Sequence, residues 1–335
     1  MSALTPTRTA PGSGASASGT RRGVLHGMTW LVWRRHRAAL WTAIVVTVVA
    51  CAYFVYQRFG LMDFLDTHQV GRSSRPGSDV LTKFDEEYAP FFRGATTLLT
   101  YFPFVAAVFL GAPLIAHEQE HGTVKLATTQ SADRGRWIAV KLGLPLLVLL
   151  ACTTLLSVTF TWLWMPARAL VSNGNWLESD LFDATGPMPV ALSLLLTVLG
   201  IGSGVVLRRT LPAMAITFVA ANIVSMAWSM IQKSLAPLRH LSYPLNGDFP
   251  DMPATDVQMD QWVATADGRL FGIGTCVNET NPDACYAQKG IVNRVVDYLS
   301  FDQMAGMQWI GAGFMLAATA VLIGLIVWRT RRRPL

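Results

Sequence analysis

The sequence predicts an all-α membrane protein with six transmembrane helices and both ends in the cytoplasm. Three observations predict it. Of 335 residues, 52% are hydrophobic and 14% charged, where soluble domains carry about 25% charged residues. The apolar residues gather into six blocks, Ala38 to Tyr56, Thr96 to Ala116, Leu142 to Trp164, Met188 to Leu207, Leu211 to Ile231 and Ala305 to Trp328, and none contains Asp, Glu, Lys, Arg or His. The basic residues, finally, crowd the ends of those blocks on one side only.

Each block is long enough to cross a hydrocarbon layer about 30 Å thick as a helix. Only a helix satisfies its own backbone N–H and C=O groups inside lipid. Six such segments have no soluble reading. Residues 1–20 hold Ala, Ser, Thr, Gly and Pro with one charge, a composition that predicts a disordered cytoplasmic tail. A cleaved signal peptide fits this end badly, because the first apolar block begins only at residue 38.

Residues 21–37 put Val24, Leu25, Met28, Leu31 and Val32 on one helical face and Arg22, His26, Thr29, Trp33 and Arg37 on the other. That pattern predicts an amphipathic helix along the inner surface, with Arg35 against the pattern. Pro103, Pro113 and Pro145 are expected to kink their spans. Trp162, Trp164, Trp309 and Trp328, at span ends, read as interface anchors. Residues 38–231 hold spans one to five with an inner loop at 117–141. A large external loop, 232–304, precedes span six at 305–328, and 329–335 form a basic tail. Only Arg208, Arg209 and Thr210 separate spans four and five, which forces an antiparallel hairpin.

Charge sets the orientation. With the N-terminus inside, 16 of the 27 Lys and Arg face inward, while 18 of the 21 acids face outward. Arg34, Arg35, Arg37, Arg208, Arg209 and Arg329 all abut helix ends on the inner side, as the positive-inside rule requires. The basic pI near 9.3 therefore follows from membrane orientation, and membrane lipid rather than nucleic acid is the expected contact. Cys51 and Cys152 lie within spans and read as packing residues. Cys276 and Cys285 share the external loop and form a candidate disulfide if that side is oxidising.

The inner loop runs from His117 to Lys141. Gly122 is expected to interrupt the helix leaving the membrane, Thr123 to cap a short helix over Val124 to Gln130, and Ser131 to cap a second helix returning through Arg136. The product is a helical elbow with Glu118 and Glu120 at its base. At least one of these acids is expected to pair with Arg34, Arg35 or Arg37. Glu118-x-Glu120-x-Gly122-Thr123, then Leu126, Ser131, Arg134 and Lys141, resembles the inner loop of ABC transporter permeases of the type-2 exporter class. His117 departs from that pattern, which more often has Arg there.

The resemblance implies that residues 118–136 form a coupling helix on a separate ATPase. It also implies an ATPase subunit dimer, a second permease copy or sister permease, and ATP with magnesium in the ATPase. This chain itself is expected to bind no cofactor, metal or nucleotide and to catalyse nothing. It has no G-x-x-x-x-G-K-[ST] loop, and no span carries an ionisable relay. The expected place is a bacterial plasma membrane.

Two other readings use the same residues. The chain could be a non-transporting signalling or anchoring subunit whose external loop binds something. His117-Glu-Gln-Glu-His121 also spells H-E-x-x-H, the zinc-protease signature. A third ligand on that side is not evident, and Gly122 ends the helix directly after the second His. Thr153, Thr154, Ser157, Thr159, Thr161, Asn222, Ser225 and Ser229 can either line a path or join helices.

Overall fold

The computed structural model describes residues 28–70, 77–121, 134–177 and 180–332, with backbone alone for parts of 28–36, for most of 134–140 and for residue 331. Among the described residues six helices are long and apolar enough to cross a membrane: Arg37–Thr67, Ala89–Glu120, Lys141–Ala167, Met188–Leu207, Thr210–Ser234 and Phe301–Thr330. We call these the first to sixth spans.

The first span belongs to α1, Met28–Thr67, a single helix of 40 residues. Residues 28–37 therefore continue into the bilayer segment without a break, and residues 21–27 lie outside the described chain. The helix also passes Tyr56, the expected end of its apolar block. Arg58 permits this: its guanidinium stacks 3.8 Å from the Trp162 ring centroid and its Nη1 donates to the Trp162 carbonyl. The cation thus leaves the lipid face for the third span. Beyond it Leu61, Phe64 and Leu65 are buried and extend the core.

Helix α2, Ser78–Glu87, leads into α3, Ala89–Val105. Phe84, Tyr88, Phe91 and Phe92 pack there with Phe54, Phe64 and Phe160 in a chain of ring contacts 5.2–6.3 Å apart. The second span changes register midway. Ala106–Gly111 is a π-helical segment, and α4 resumes at Pro113 and runs to Glu120. Pro103 removes one i→i−4 hydrogen bond and Pro113 another, so the ladder between them relaxes to wider i→i+5 bonds such as Ala112 N–H to Ala107 O, at 2.9 Å. Pro145, inside α5 (Arg134–Trp164), causes no such break.

Helix α6, Leu181–Ala184, precedes α7, Met188–Leu207, the most buried span. Gly200 and Gly204 form a G-x-x-x-G face whose missing side chains admit the second span. A Cβ on Gly200 would lie 2.4 Å from Ala107 O, and one on Gly204 2.5 Å from Ala112 O. Arg208 in the left-handed region and an extended Arg209 then turn the chain into α8, Thr210–Ile231.

The segment between the fifth and sixth spans corrects the all-α expectation. It contains β1 Arg239–Pro244, β2 Val257–Thr265, β3 Leu270–Gly272 and β4 Ile291–Leu299, in the antiparallel order β1-β4-β2-β3. The β4 sequence IVNRVVDYL is rich in β-branched residues, and Val295 and Val296 are buried with Ile291 and Leu299. Helix α9, Pro282–Lys289, carries Cys285, bonded to Cys276 with Cα atoms 5.9 Å apart. Helix α10, Phe301–Arg332, follows β4 directly.

The sheet is tied to the bundle. Asp256 Oδ1 accepts from Ser300 Oγ at 3.2 Å and from the Phe301 N–H at 3.3 Å, and Arg239 pairs with Asp302 at 2.7 Å. Trp164, expected as an interface anchor, is instead buried near Phe301, whereas Trp309 and Trp328 are exposed.

The small-residue contact makes a sharp test. Gly200→Ala and Gly204→Ala should each destabilise the purified protein by about 1–3 kcal/mol through overpacking against backbone. Gly202→Ala, whose Cβ would meet nothing nearer than Ile326 Cδ1 at 3.7 Å, should be close to neutral. Thermal unfolding in detergent measures all three side by side.

Candidate functional site

The elbow motif is framed by two helix ends. Helix α4 delivers Glu118, Gln119 and Glu120, and α5 returns with Lys141 buried at its side. Lys141 Nζ forms an ion pair with Glu118 Oε2, with side chains only 3% and 14% exposed. Two turns of α5 after Arg134, this pair closes the two ends of the elbow onto each other.

Glu120 reaches a different span. Its Oε2 accepts from the Thr210 backbone N–H at 3.0 Å and from Thr210 Oγ1 at 2.7 Å. Thr210 opens α8, and the preceding Arg209 offers no side-chain cap. The carboxylate therefore supplies in trans what an N-cap supplies in cis. It satisfies an orphan N–H and sits at the positive end of the helix dipole. Between these acids the Gln119 amide atoms are buried, and among the described residues neither has a hydrogen-bond partner.

Of the residues the sequence singles out, Glu118 and Glu120 thus anchor the elbow base. The expected partners for them were Arg34, Arg35 or Arg37; the partners described here are Lys141 and Thr210. Gly122, Thr123, Leu126 and Ser131 lie outside the described residues, and Arg134 is described as the first backbone position of α5. The His117 and His121 rings meet tilted by 51° with centroids 4.4 Å apart, and His121 Nδ1 donates to the His117 carbonyl at 2.8 Å. Among the described residues no three His, Cys, Asp or Glu side chains group as a metal site would need.

A second polar joint lies at the sheet end, and no motif spacing announces it. Gln308 Nε2 of α10 donates to Phe182 O, Thr185 O and Thr185 Oγ1 at 2.9, 3.2 and 2.9 Å. Gly186, at φ 61°, lies so close that a Cβ would stand 2.4 Å from Gln308 Oε1. Ser157 Oγ donates to Gly186 O at 2.5 Å, and the Gly186 N–H donates to Thr161 Oγ1 at 3.1 Å. Asp183 accepts from Trp228 Nε1 at 2.8 Å. One short turn thereby joins the third, fifth and sixth spans to the start of the fourth. Thr153, Thr159, Asn222 and Ser229 bond to carbonyls of their own helices.

The molecule is a multi-pass membrane bundle with a polar joint at each end. A family model described as ABC-2 membrane transporter related matches residues 44–233, and the chain belongs to that family. The match takes in the first five spans and the elbow, and ends before the sheet. No curated protein and no solved structure matches the chain. By family and span count it is a membrane transporter permease.

Two outcomes test these joints. Replacing Glu118 with Gln removes a charge-assisted contact from buried Lys141 and should cost on the order of 2 kcal/mol. The double change Glu118→Gln with Lys141→Met should recover part of that loss; no recovery in thermal unfolding would mean the pair is not coupled.

Asp183 provides a pH signature. Burial pushes its carboxyl up to about 6, Asp180 adds to the rise and the Trp228 hydrogen bond opposes it. The unfolded value is near 3.9. Between the two the unfolded chain releases a proton that the folded chain keeps, so stability falls as pH rises through that window. The full penalty stands above about pH 6 and is roughly 3 kcal/mol at most. Asp183→Asn should therefore raise the unfolding temperature at pH 8 and leave it unchanged at pH 4.

Proposed function

We propose that the chain is the permease subunit of an ATP-driven exporter, with residues 118–136 as the element that docks on a separate ATPase. The family match over residues 44–233 carries this reading, because it takes in the first five spans and the elbow segment together. The ATPase works as a dimer that binds ATP and magnesium, and the permease pairs with a second copy or a sister permease. Membrane lipid surrounds the remainder. Both termini and the elbow face the cytoplasm of a bacterial cell, in agreement with the basic residues at those helix ends. The sheet with its Cys276–Cys285 disulfide then faces the oxidising side, where such bonds persist.

The geometry at the elbow base supports a route for force. A push on the elbow enters α4, which the π-segment separates from the rest of the second span. Helix α4 is seated on α7 where Gly204 meets Ala112 and Ala116. Glu120 holds the start of α8. Displacing α4 thus displaces the α7–α8 hairpin with it, while the π-segment absorbs the change of register. Such segments insert an extra residue without losing the helix and recur at functional sites.

The test uses the complex of permease and ATPase. Gly122→Pro removes a backbone N–H and restricts the residue before it, and Leu126→Glu puts a carboxylate on an apolar docking face. Each should abolish stimulated ATP hydrolysis while leaving the permease inserted. Unchanged assembly and turnover in both variants would show that the elbow is not the coupling element.

A further inference from the structure

A cavity of about 370 Å³ opens between the α2–α3 junction and the turn at Val171–Gly174, away from the elbow. Its size falls in the range of about 300–1,000 Å³ that small ligands occupy. Phe84 and Phe92 give it an apolar wall, and Asp85, Arg93, Ser172 and Asn173 give it polar groups. We propose that this cavity binds a zwitterion, an ammonium and a phosphate or carboxylate a few bonds apart, carried on an apolar body.

Three observations point to that chemistry. The first is charge. Asp85 and Arg93 line the same cavity, yet neither takes part in an ion pair among the described residues. The one described contact of the Arg93 side chain is from Nε to the Ala89 carbonyl of its own helix, at 3.4 Å. An anion and a cation that share a cavity without neutralising each other match a ligand that brings both signs. The guanidinium fork suits a phosphate or carboxylate, and the carboxylate suits an ammonium.

The second is the turn opposite. Ser172 and Asn173 both adopt left-handed backbone, at φ 52° and 54°. Consecutive non-glycine residues in that region are strained, and such strain persists where the surroundings hold it. Here the hold comes from behind. Gly174, at φ 79°, lies so close to Ala254 O that a Cβ would stand 1.8 Å away, and Trp176 Nε1 donates to Thr255 O at 2.9 Å. The hydroxyl and amide at the cavity are thereby presented on a rigid support.

The third is depth. Arg93 stands one turn inside the start of the second span at Ala89. A helix enters a bilayer through its headgroup layer, so a side chain one turn from a span's end is within reach of headgroups, and Phe92 beside it is buried among Phe84, Phe91 and Phe160. An ethanolamine phospholipid of that leaflet is the source this position favours, and a water-soluble zwitterion is the other source of the same chemistry.

The experiment uses the full chain in nanodiscs and needs no ATPase, so its result stands apart from the exporter reading. Protein is reconstituted with equal phosphatidylethanolamine and phosphatidylglycerol, and the lipids it retains are counted by native mass spectrometry. A second arm titrates glycerophosphoethanolamine onto protein in phosphatidylcholine discs. Wild type should retain the ethanolamine lipid about tenfold over the glycerol lipid. Asp85→Asn and Arg93→Gln should each abolish that preference, and Asp79→Asn, outside the cavity on α2, should keep it.

Both cavity side chains are exposed, so thermal unfolding should match wild type and a loss reports binding rather than folding. Saturable binding of glycerophosphoethanolamine without lipid preference, lost in both variants, would support the zwitterion site with an aqueous source. Binding equal to wild type in either variant, or none in either arm, would overturn the proposal.

Discussion

Helix α7 occupies the middle of the bundle, and its reach depends on two residues that lack side chains. At Gly200 and Gly204 its backbone lies against Ala107 and Ala112 at distances no Cβ would permit. In lipid, helices gain little from hiding apolar surface, because the solvent is as apolar as they are. Close approach then has to supply the attraction through dispersion and backbone contact, and this approach does so at the point where the second span changes register. Thr217 of α8 joins the same locus, with its Oγ1 bonded to Ala213 O and to Ser203 Oγ at 2.7 and 2.5 Å. The second, fourth and fifth spans are locked there, and the remaining helices pack around them.

The spans were legible because lipid leaves the chain no alternative. A run of about twenty apolar residues free of charge has to be a helix in that solvent. What the apolar runs could not disclose is what happens where polar groups find private partners. Arg58 looks like the end of a span until its stack on Trp162 is seen, and then α1 continues for nine more residues to Thr67. The π-segment was equally hidden, since Pro103 and Pro113 announce a disturbance but not its form. The sheet escaped for a third reason. Its strands are three to nine residues long, and β1 and β3 are largely exposed at the edges. Pro, Asp and Gly between them dominate the composition, so the segment reads as a loop even though Val and Ile in β4 form its core.

The elbow base shows how far a motif can carry a site. The pattern marked Glu118, Glu120 and Lys141 as residues of one element, and the fold brings Glu118 and Lys141 together. They stand 23 positions apart, a separation that no helical periodicity could mark as a contact. Thr210 carried no signal at all, being one residue of a two-arginine turn. Its importance comes only from the helix start it occupies, where an unsatisfied N–H meets the Glu120 carboxylate. Sequence thus located the acids, and tertiary structure chose their partners. The sheet-end joint was legible only in part: Ser157 and Thr161 stood out as polar residues within a span, but Asp183, Gly186 and Gln308, far apart in sequence from them, gave no sign of being their neighbours.

The two joints differ in what a charge does there. At the elbow base the acids meet an ammonium and a helix N-terminus, and the contacts cross between helix ends. At the sheet end the acid is buried with a single indole donor, so its proton is held to about pH 6 and the joint is mostly made of neutral hydrogen bonds. A neutral joint with a glycine packed against Gln308 resists displacement by shape, whereas an ionic joint at a helix start resists it by attraction, which acts over a longer range. Between the two joints, among the described residues, the second span is held by neither charge nor side-chain hydrogen bonds but by backbone against backbone, at Gly111, Gly200 and Gly204, and its π-segment changes register at that same contact.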